Sequence, residues 1–436
     1  MDLRRKFMSY IIPSIAAMLV FNIYTMVDGL FVSHFCSEYA LAAINISVPF
    51  INMIFSFAIL FSIGCSTLIS VMRGAGQDKE ANKLFSGNIY FLGIVGIVVT
   101  VLVHLFIEPI SLFLGASEQT IGYVSQYITI VSWFTFFYII SYFLEVLVKA
   151  DGYPKLATLG VIAGALTNIV LDYIGVGLLD MGIAGAAWAT GISQFVTFLI
   201  FTYHFIKGNS HLKLVKVVPK LSWFKKSLPL GVSDALTEIS SGILVFAFNH
   251  EIFRVIGDSG LVSYTIISYV YNIVLMAMVG ITQGMQPLVS YYVGKKDEYS
   301  INKLLKYSFV AVVLIMGVSF VLSEFGAEWI VSIFLENPAM YDYSVHAFKL
   351  FATCYLVLGI SVIFIGFFVA VKQPKQALVL SLLRGVIAPV ILVKVMSYFF
   401  ADTGIWLTLL VSEVICMIVG VVLYKSIDLK KIIHEQ

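Results

Sequence analysis

The chain has 436 residues, of which 60% are apolar and only 12% charged, with a formal net charge of +2 and a mean hydropathy of +0.97. A soluble domain carries about 25% charged residues. The composition therefore excludes a water-soluble enzyme or nucleic-acid binder and places the chain in a lipid bilayer.

Twelve apolar segments follow in chain order: 10–34, 45–72, 85–107, 123–148, 156–178, 183–206, 228–250, 261–290, 306–323, 345–371, 376–399 and 404–424. A bilayer core about 30 Å thick needs about 20 apolar residues per crossing. Long apolar runs without alternation imply helices, not a barrel. The first segment, PSIAAMLVFNIYTMVDGLFVSHF, opens on Pro13 and carries Tyr24 and Asp28. The fourth ends on Glu145 and Lys149, one turn apart, which read as a pair snorkelling at the interface. The fifth, ATLGVIAGALTNIVLDYIGVGLL, holds Asn168 and Asp172, and the sixth holds Thr190. In the second half, Asp234 and Glu238 lie one turn apart in the seventh segment, Arg384 and Lys394 in the eleventh, and Glu413 in the twelfth.

Charge location orients the chain. Of the 27 Lys and Arg, 23 fall on one side, from Arg4, Arg5 and Lys6 through the loops after every even segment to Lys425, Lys430 and Lys431. The opposite loops hold acids such as Glu108, Glu118, Asp180, Glu324 and Asp342, with Arg254 as their one clear base. The positive-inside rule puts both termini in the cytoplasm of a multi-pass inner (plasma) membrane protein. The first apolar run is too long for a cleaved signal peptide and lacks its small-residue cleavage site. Cys36, Cys65, Cys354 and Cys416 form no paired motif, so neither a disulfide framework nor a zinc site is indicated.

The chain repeats itself. Pro13 and Pro229 open equivalent segments at an offset of 216, and Gly64 maps to Gly280 at the same offset. Basic loops follow both glycines, GYPK at Pro154 matches KQPK at Pro374, and DMGIAGAAW matches DTGIWL. Both halves enter from the same side, so the repeat is parallel, a common transporter plan with the substrate site between halves. The expected fold is all-α: two six-helix lobes around a central cleft. Residues 1–206 form the N-terminal lobe with the cation site, 207–227 a polar linker, and 228–436 the C-terminal lobe.

Asp28 and Asp172 each lie about six residues, or ~9 Å, from the outer end of an otherwise apolar span. A charge near the bilayer centre costs about 2.5–3.5 kcal/mol on insertion scales, so it is rarely kept without a use. Asn168 is one turn from Asp172, Tyr24 one turn from Asp28, and Thr190 falls at similar depth. The five offer hard oxygen ligands of the kind small hard cations use. The acids could equally take a proton, since desolvation and a like-charged neighbour favour the neutral form of a carboxyl group. A structural hydrogen-bond network gluing three helices is the alternative. At the equivalent offsets the second half has Ala247–Phe248, Ala388 and Leu392, so the acidic site is not repeated. Asp234, Glu238, Arg384 and Glu413 form a candidate C-lobe ion network, with Glu238 or Glu413 as the partner of Arg384.

No Walker A, HExxH or nucleophile-elbow pattern occurs, so neither ATP-driven transport on this chain nor enzymatic chemistry is expected. No cofactor is implied beyond a coupling Na⁺ or H⁺.

The combination of Pro13 to Asp28, ALAAINISVPF, GYPKLATLGVIAGALTNIVLDYIGVGLLDMGIAGAAWATGISQ and MVGITQGMQPLVSYYVGKKDE resembles the multidrug and toxic compound extrusion (MATE) transporters, and most closely their bacterial DinF-type branch. The resemblance covers nearly the whole chain. It implies an N-lobe cation site at Tyr24, Asp28, Asn168, Asp172 and Thr190, and a bend of the first helix at Pro13. It implies antiport: export of amphipathic, often cationic organic compounds in exchange for Na⁺ or H⁺, within the lipid bilayer and with no obligatory protein partner. A lipid-linked oligosaccharide or polysaccharide flippase shares the fold and is the first rival; a membrane-embedded enzyme or receptor is the second.

Overall fold

The computed structural model describes residues 2–207, 210–335 and 338–434; positions 208 and 209 of the expected linker lie outside the described residues. Helices α1 Leu3–Phe35, α2 Glu38–Gly74 and α3 Asp78–Leu105 open the chain. Helix α4 is broken: Ile121–Trp133 and Thr135–Ala150 meet at 54°. Helices α5 Pro154–Leu178, α6 Gly182–Ile206, α7 Leu221–Val255, α8 Asp258–Gly294, α9 Glu298–Phe334 and α10 Met340–Ala370 follow. The last helical stretch, Pro374–Ser426, has 53 residues. At about 1.5 Å per residue it would be far longer than a bilayer is thick. The backbone leaves helical geometry at Ala401 (φ 51°, ψ −132°), which divides it into α11 (374–400) and α12 (402–426). Divided there, and with α4 taken as one broken span, the described residues hold twelve stretches of spanning length, in a multi-pass integral membrane protein.

Local chemistry sets the helix starts. Ser37 caps α2 by accepting from the Ala40 N–H at 3.2 Å, and Asp297 caps α9 by accepting from the Ser300 N–H at 3.0 Å. Pro154 and Pro374 occupy the first turns of α5 and α11, where a missing N–H costs nothing. This is the structural content of the repeated GYPK and KQPK.

The described chain forms two compact units, Ala16–Gly231 and Met1–Ile15 with Val232–Gln436. Relative to the expected lobes 1–206 and 228–436, each unit has taken the opening segment of the other half. The duplicated glycines explain this. In the first unit a Cβ on Gly64 of α2 would stand 2.1 Å from the Ser227 carbonyl oxygen at the start of α7. In the second, a Cβ on Gly280 of α8 would stand 2.6 Å from Ile15 Cα of α1. Each glycine admits a backbone that no side chain would let so close.

The linker is pinned along the first unit. Lys213 N–H donates to Asn82 Oδ1 and Val215 N–H to Ser86 Oγ, both at 2.9 Å, and the Tyr90 hydroxyl donates to the Val215 carbonyl at 3.3 Å. Where α4 ends, the buried Asp151 accepts from the His211 N–H at 3.1 Å, meets His204 Nε2 at 2.9 Å and pairs with Arg73 at 3.3 Å.

Candidate cation site

Helix α5 carries Gly160, Gly164, Asn168 and Asp172 at successive four-residue steps, so all four share one face, and all four are buried. The glycines let α6 lie close: a Cβ on Gly164 would sit 2.3 Å from Thr197 Oγ1. This approach buries Asn168 to 1% and Asp172 to 0% exposure. A π-helical stretch, Tyr173–Leu178, follows Asp172 directly, and such local irregularity is frequent at functional sites.

Helix α1 supplies the opposing acid. The half-buried Asp28 and the buried Asp172 face each other as close electrostatic neighbours. Tyr24, one turn from Asp28, lies within its electrostatic reach. Thr190 of α6 is the hydrogen-bond neighbour of Tyr127, which in turn senses both aspartates. The five residues singled out from the sequence thus fall into one cluster within the first unit, with Asn168 one turn from Asp172 on its buried face.

Sequence reasoning missed two members. Tyr127 and Tyr138 flank the break in α4, and Tyr138 reaches both Tyr24 and Tyr127. Among 23 tyrosines nothing marked these two; the 54° bend of α4 lies between them.

The donor set fits a proton or a small hard cation. Asp28 Oδ1, both Asp172 carboxylate oxygens and both polar atoms of the Asn168 amide are buried without a hydrogen-bond partner. Each such orphan costs about 1–3 kcal/mol, and four of the five are oxygens able to accept from a proton or to coordinate a small hard cation. The orphaned acceptors are all oxygen, and no group of three His, Cys, Asp or Glu able to hold a metal occurs among the described residues.

Below the acids lies a cavity of ≈ 40 Å³ whose lining includes Tyr24, Tyr138, Ser141, Gln194 and Glu145. Glu145 and Lys149 do pair, Oε1 to Nζ at 2.7 Å, but their side chains are only 9% and 2% exposed. This corrects the interfacial reading. Every residue of α4 from Ile139 to Lys149 is buried, so the pair is packed inside the protein rather than snorkelling at its surface.

The second unit brings together only part of its expected ion network. Arg384, in the π-helical turn Leu383–Ile387, donates from Nε to Glu413 Oε1 at 2.9 Å and to Ser361 Oγ at 3.1 Å. Glu413, not Glu238, is the partner of Arg384. Asp234 accepts from the Ser233 hydroxyl at 3.3 Å, and neither Asp234 nor Glu238 forms an ion pair among the described residues. Pro13 lies within a continuous α1, two residues before the unit boundary.

A duplicated twelve-helix membrane bundle with an acid pair buried in one half is the organisation of a secondary transporter. The MatE family model matches residues 13–174 and again 229–395, and the chain belongs to that family of transporters. The two matches begin on Pro13 and Pro229, the positions that open the repeats. A multidrug export protein, MepA, of Staphylococcus saprophyticus is 26% identical over 419 residues, covering 95% of this chain and 92% of the relative. MepA of Staphylococcus haemolyticus is 26% identical over 427 residues, covering 97% and 93%. Among solved structures, an outward-facing multidrug-resistance MATE transporter of the MOP superfamily superposes with a TM-score of 0.92 at 19% identity over 98% of both chains, which shows the shared fold.

Proposed function

We propose that the protein is a secondary antiporter that exports amphipathic, often cationic organic compounds in exchange for H⁺ or Na⁺. The observation that carries this reading is the facing pair Asp28 and Asp172, buried with orphaned oxygens. The names of the MepA relatives support a multidrug substrate range, and the five-residue set and the amphipathic, cationic substrate class are those implied by the resemblance. The basic loops support a cytoplasmic position for both termini.

Asp28 and Asp172 hold the coupling ion. Asn168 and Thr190 orient it, and Tyr24, Tyr127 and Tyr138 shield it from lipid. Ion entry from outside neutralises the acids and removes their mutual repulsion, which lets α1 close on α5. Pro13 has no backbone N–H to donate within α1, so the helix yields there. Drug and ion are then linked reciprocally: each weakens the binding of the other.

A pyrophosphate-carrying flippase would need free buried bases. Among the described residues, the buried guanidinium of Arg384 is neutralised by Glu413, which weighs against that rival. The test is ethidium efflux from cells. Asp28→Asn and Asp172→Asn should each abolish efflux while the protein accumulates normally in membranes. Normal efflux by both variants would refute the assignment.

A further inference from the structure

The pair Glu145–Lys149 lies outside the acid cluster. Glu145 and Tyr24 line the same ≈ 40 Å³ cavity. About 10–15 Å³ suffices for one water, so the space accommodates a short chain of them. Tyr24 touches the field of Asp28 at one end. Along the wall, Ser141 donates to Gln194 Oε1 at 2.9 Å, and Ser193 and Thr197 add hydroxyls. At the other end Glu145 accepts from Lys149 at 2.7 Å. Two residues further along, Asp151 closes the basic end of the unit with Arg73 and His204. The groups facing Glu145 are the ammonium of Lys149 on its own helix, the phenols of Tyr24, Tyr138 and Tyr142 around the cavity, and neutral side chains from α6.

A water-sized space that runs from Tyr24, the neighbour of Asp28, to a buried carboxylate has no role in holding the ion outside. We infer that Glu145 is an inward relay site and that the ion it relays is a proton. A proton leaves the Asp28–Asp172 pair, crosses the hydroxyl-lined cavity and adds to the Glu145 carboxylate, which becomes a neutral acid beside Lys149. It then departs to cytoplasmic water and the carboxylate re-pairs with the ammonium, which keeps its charge throughout. A sodium ion would have to stand against the fixed charge of Lys149, whereas a proton passes by exchange of hydrogen bonds.

This inference rests on the antiport reading, and the test separates the two. Full-length protein in liposomes is given an imposed H⁺ gradient, an imposed Na⁺ gradient, or neither with ethidium on both sides to measure counterflow. In wild type the H⁺ gradient drives transport and the Na⁺ gradient does not. Glu145→Gln should lower H⁺-driven transport at least tenfold while counterflow stays within twofold of wild type, and Glu145→Asp should recover part of the driven rate. Driven transport by Glu145→Gln within twofold of wild type overturns the relay. So does joint loss of driven transport and counterflow in both Glu145 variants, which would make the pair structural, and so does transport driven by Na⁺ alone. The antiport reading fails separately, if Asp28→Asn and Asp172→Asn keep driven transport.

Discussion

Asp172 of α5 faces Asp28 of α1, and the oxygens of Asp172 have no hydrogen-bond donor. Two acids are held together in one buried cluster. The scaffold that enforces this is the glycine stripe on the same face of α5, so the geometry should be breakable without touching an acid. Gly164→Val would drive a branched side chain into Thr197, whose Oγ1 would lie only 2.3 Å from the new Cβ. Overpacking of this kind costs about 1–3 kcal/mol. The expected outcome is a lowered melting temperature in detergent together with lost efflux. Wild-type values for both would show that α5 and α6 need not approach so closely.

Tyr127 tests a residue that only the fold reveals. Tyr127→Phe keeps the ring and removes the hydroxyl that neighbours Thr190. A hydrogen bond of this kind contributes about 0.5–1.5 kcal/mol. The half-saturating concentration of the coupling ion should therefore rise several-fold, with expression unchanged. An unaltered ion dependence would remove Tyr127 from the site.

Arg384 and Glu413 are read as structural. Removing one partner of a buried ion pair typically costs about 3–5 kcal/mol, whereas replacing both by apolar groups is often tolerated. Glu413→Gln should lower the melting temperature markedly. The double variant Arg384→Met with Glu413→Leu should recover much of the loss and retain efflux. Lost efflux at full stability would instead give the pair a role in transport.

Asp151 is the clasp of the linker. It engages Arg73, His204 and the His211 N–H at once. Asp151→Ala should free the segment after residue 210 and speed trypsin cleavage at Lys213 or Lys216 several-fold. Unchanged cleavage would mean that the bonds to Asn82 and Ser86 hold the linker alone.

The helices were legible because a bilayer leaves so few choices: long apolar runs bounded by charge can do little else. Asp28, Asn168, Asp172 and Thr190 were legible because polar groups at that depth are conspicuous. Tyr127 and Tyr138 were not, since a tyrosine in a membrane helix is ordinary until the packed helices set it in the cluster. Glu145 and Lys149 were misplaced because distance from a helix end says nothing about what surrounds that end. The exchanged opening segments escaped notice because the periodicity of Gly64 and Gly280 marks a close approach but not its partner. Glu413 could not be told from Glu238 as the partner of Arg384, because both spacings were open until the helices were packed.

The central claim is that an exchangeable positive ion sits between Asp28 and Asp172 and is displaced by the drug. The most direct measurement is proton release from purified protein in weakly buffered detergent on addition of ethidium. The wild type should release protons in proportion to the drug bound, and the double variant Asp28→Asn, Asp172→Asn should release none. Equal release from both proteins would contradict the account.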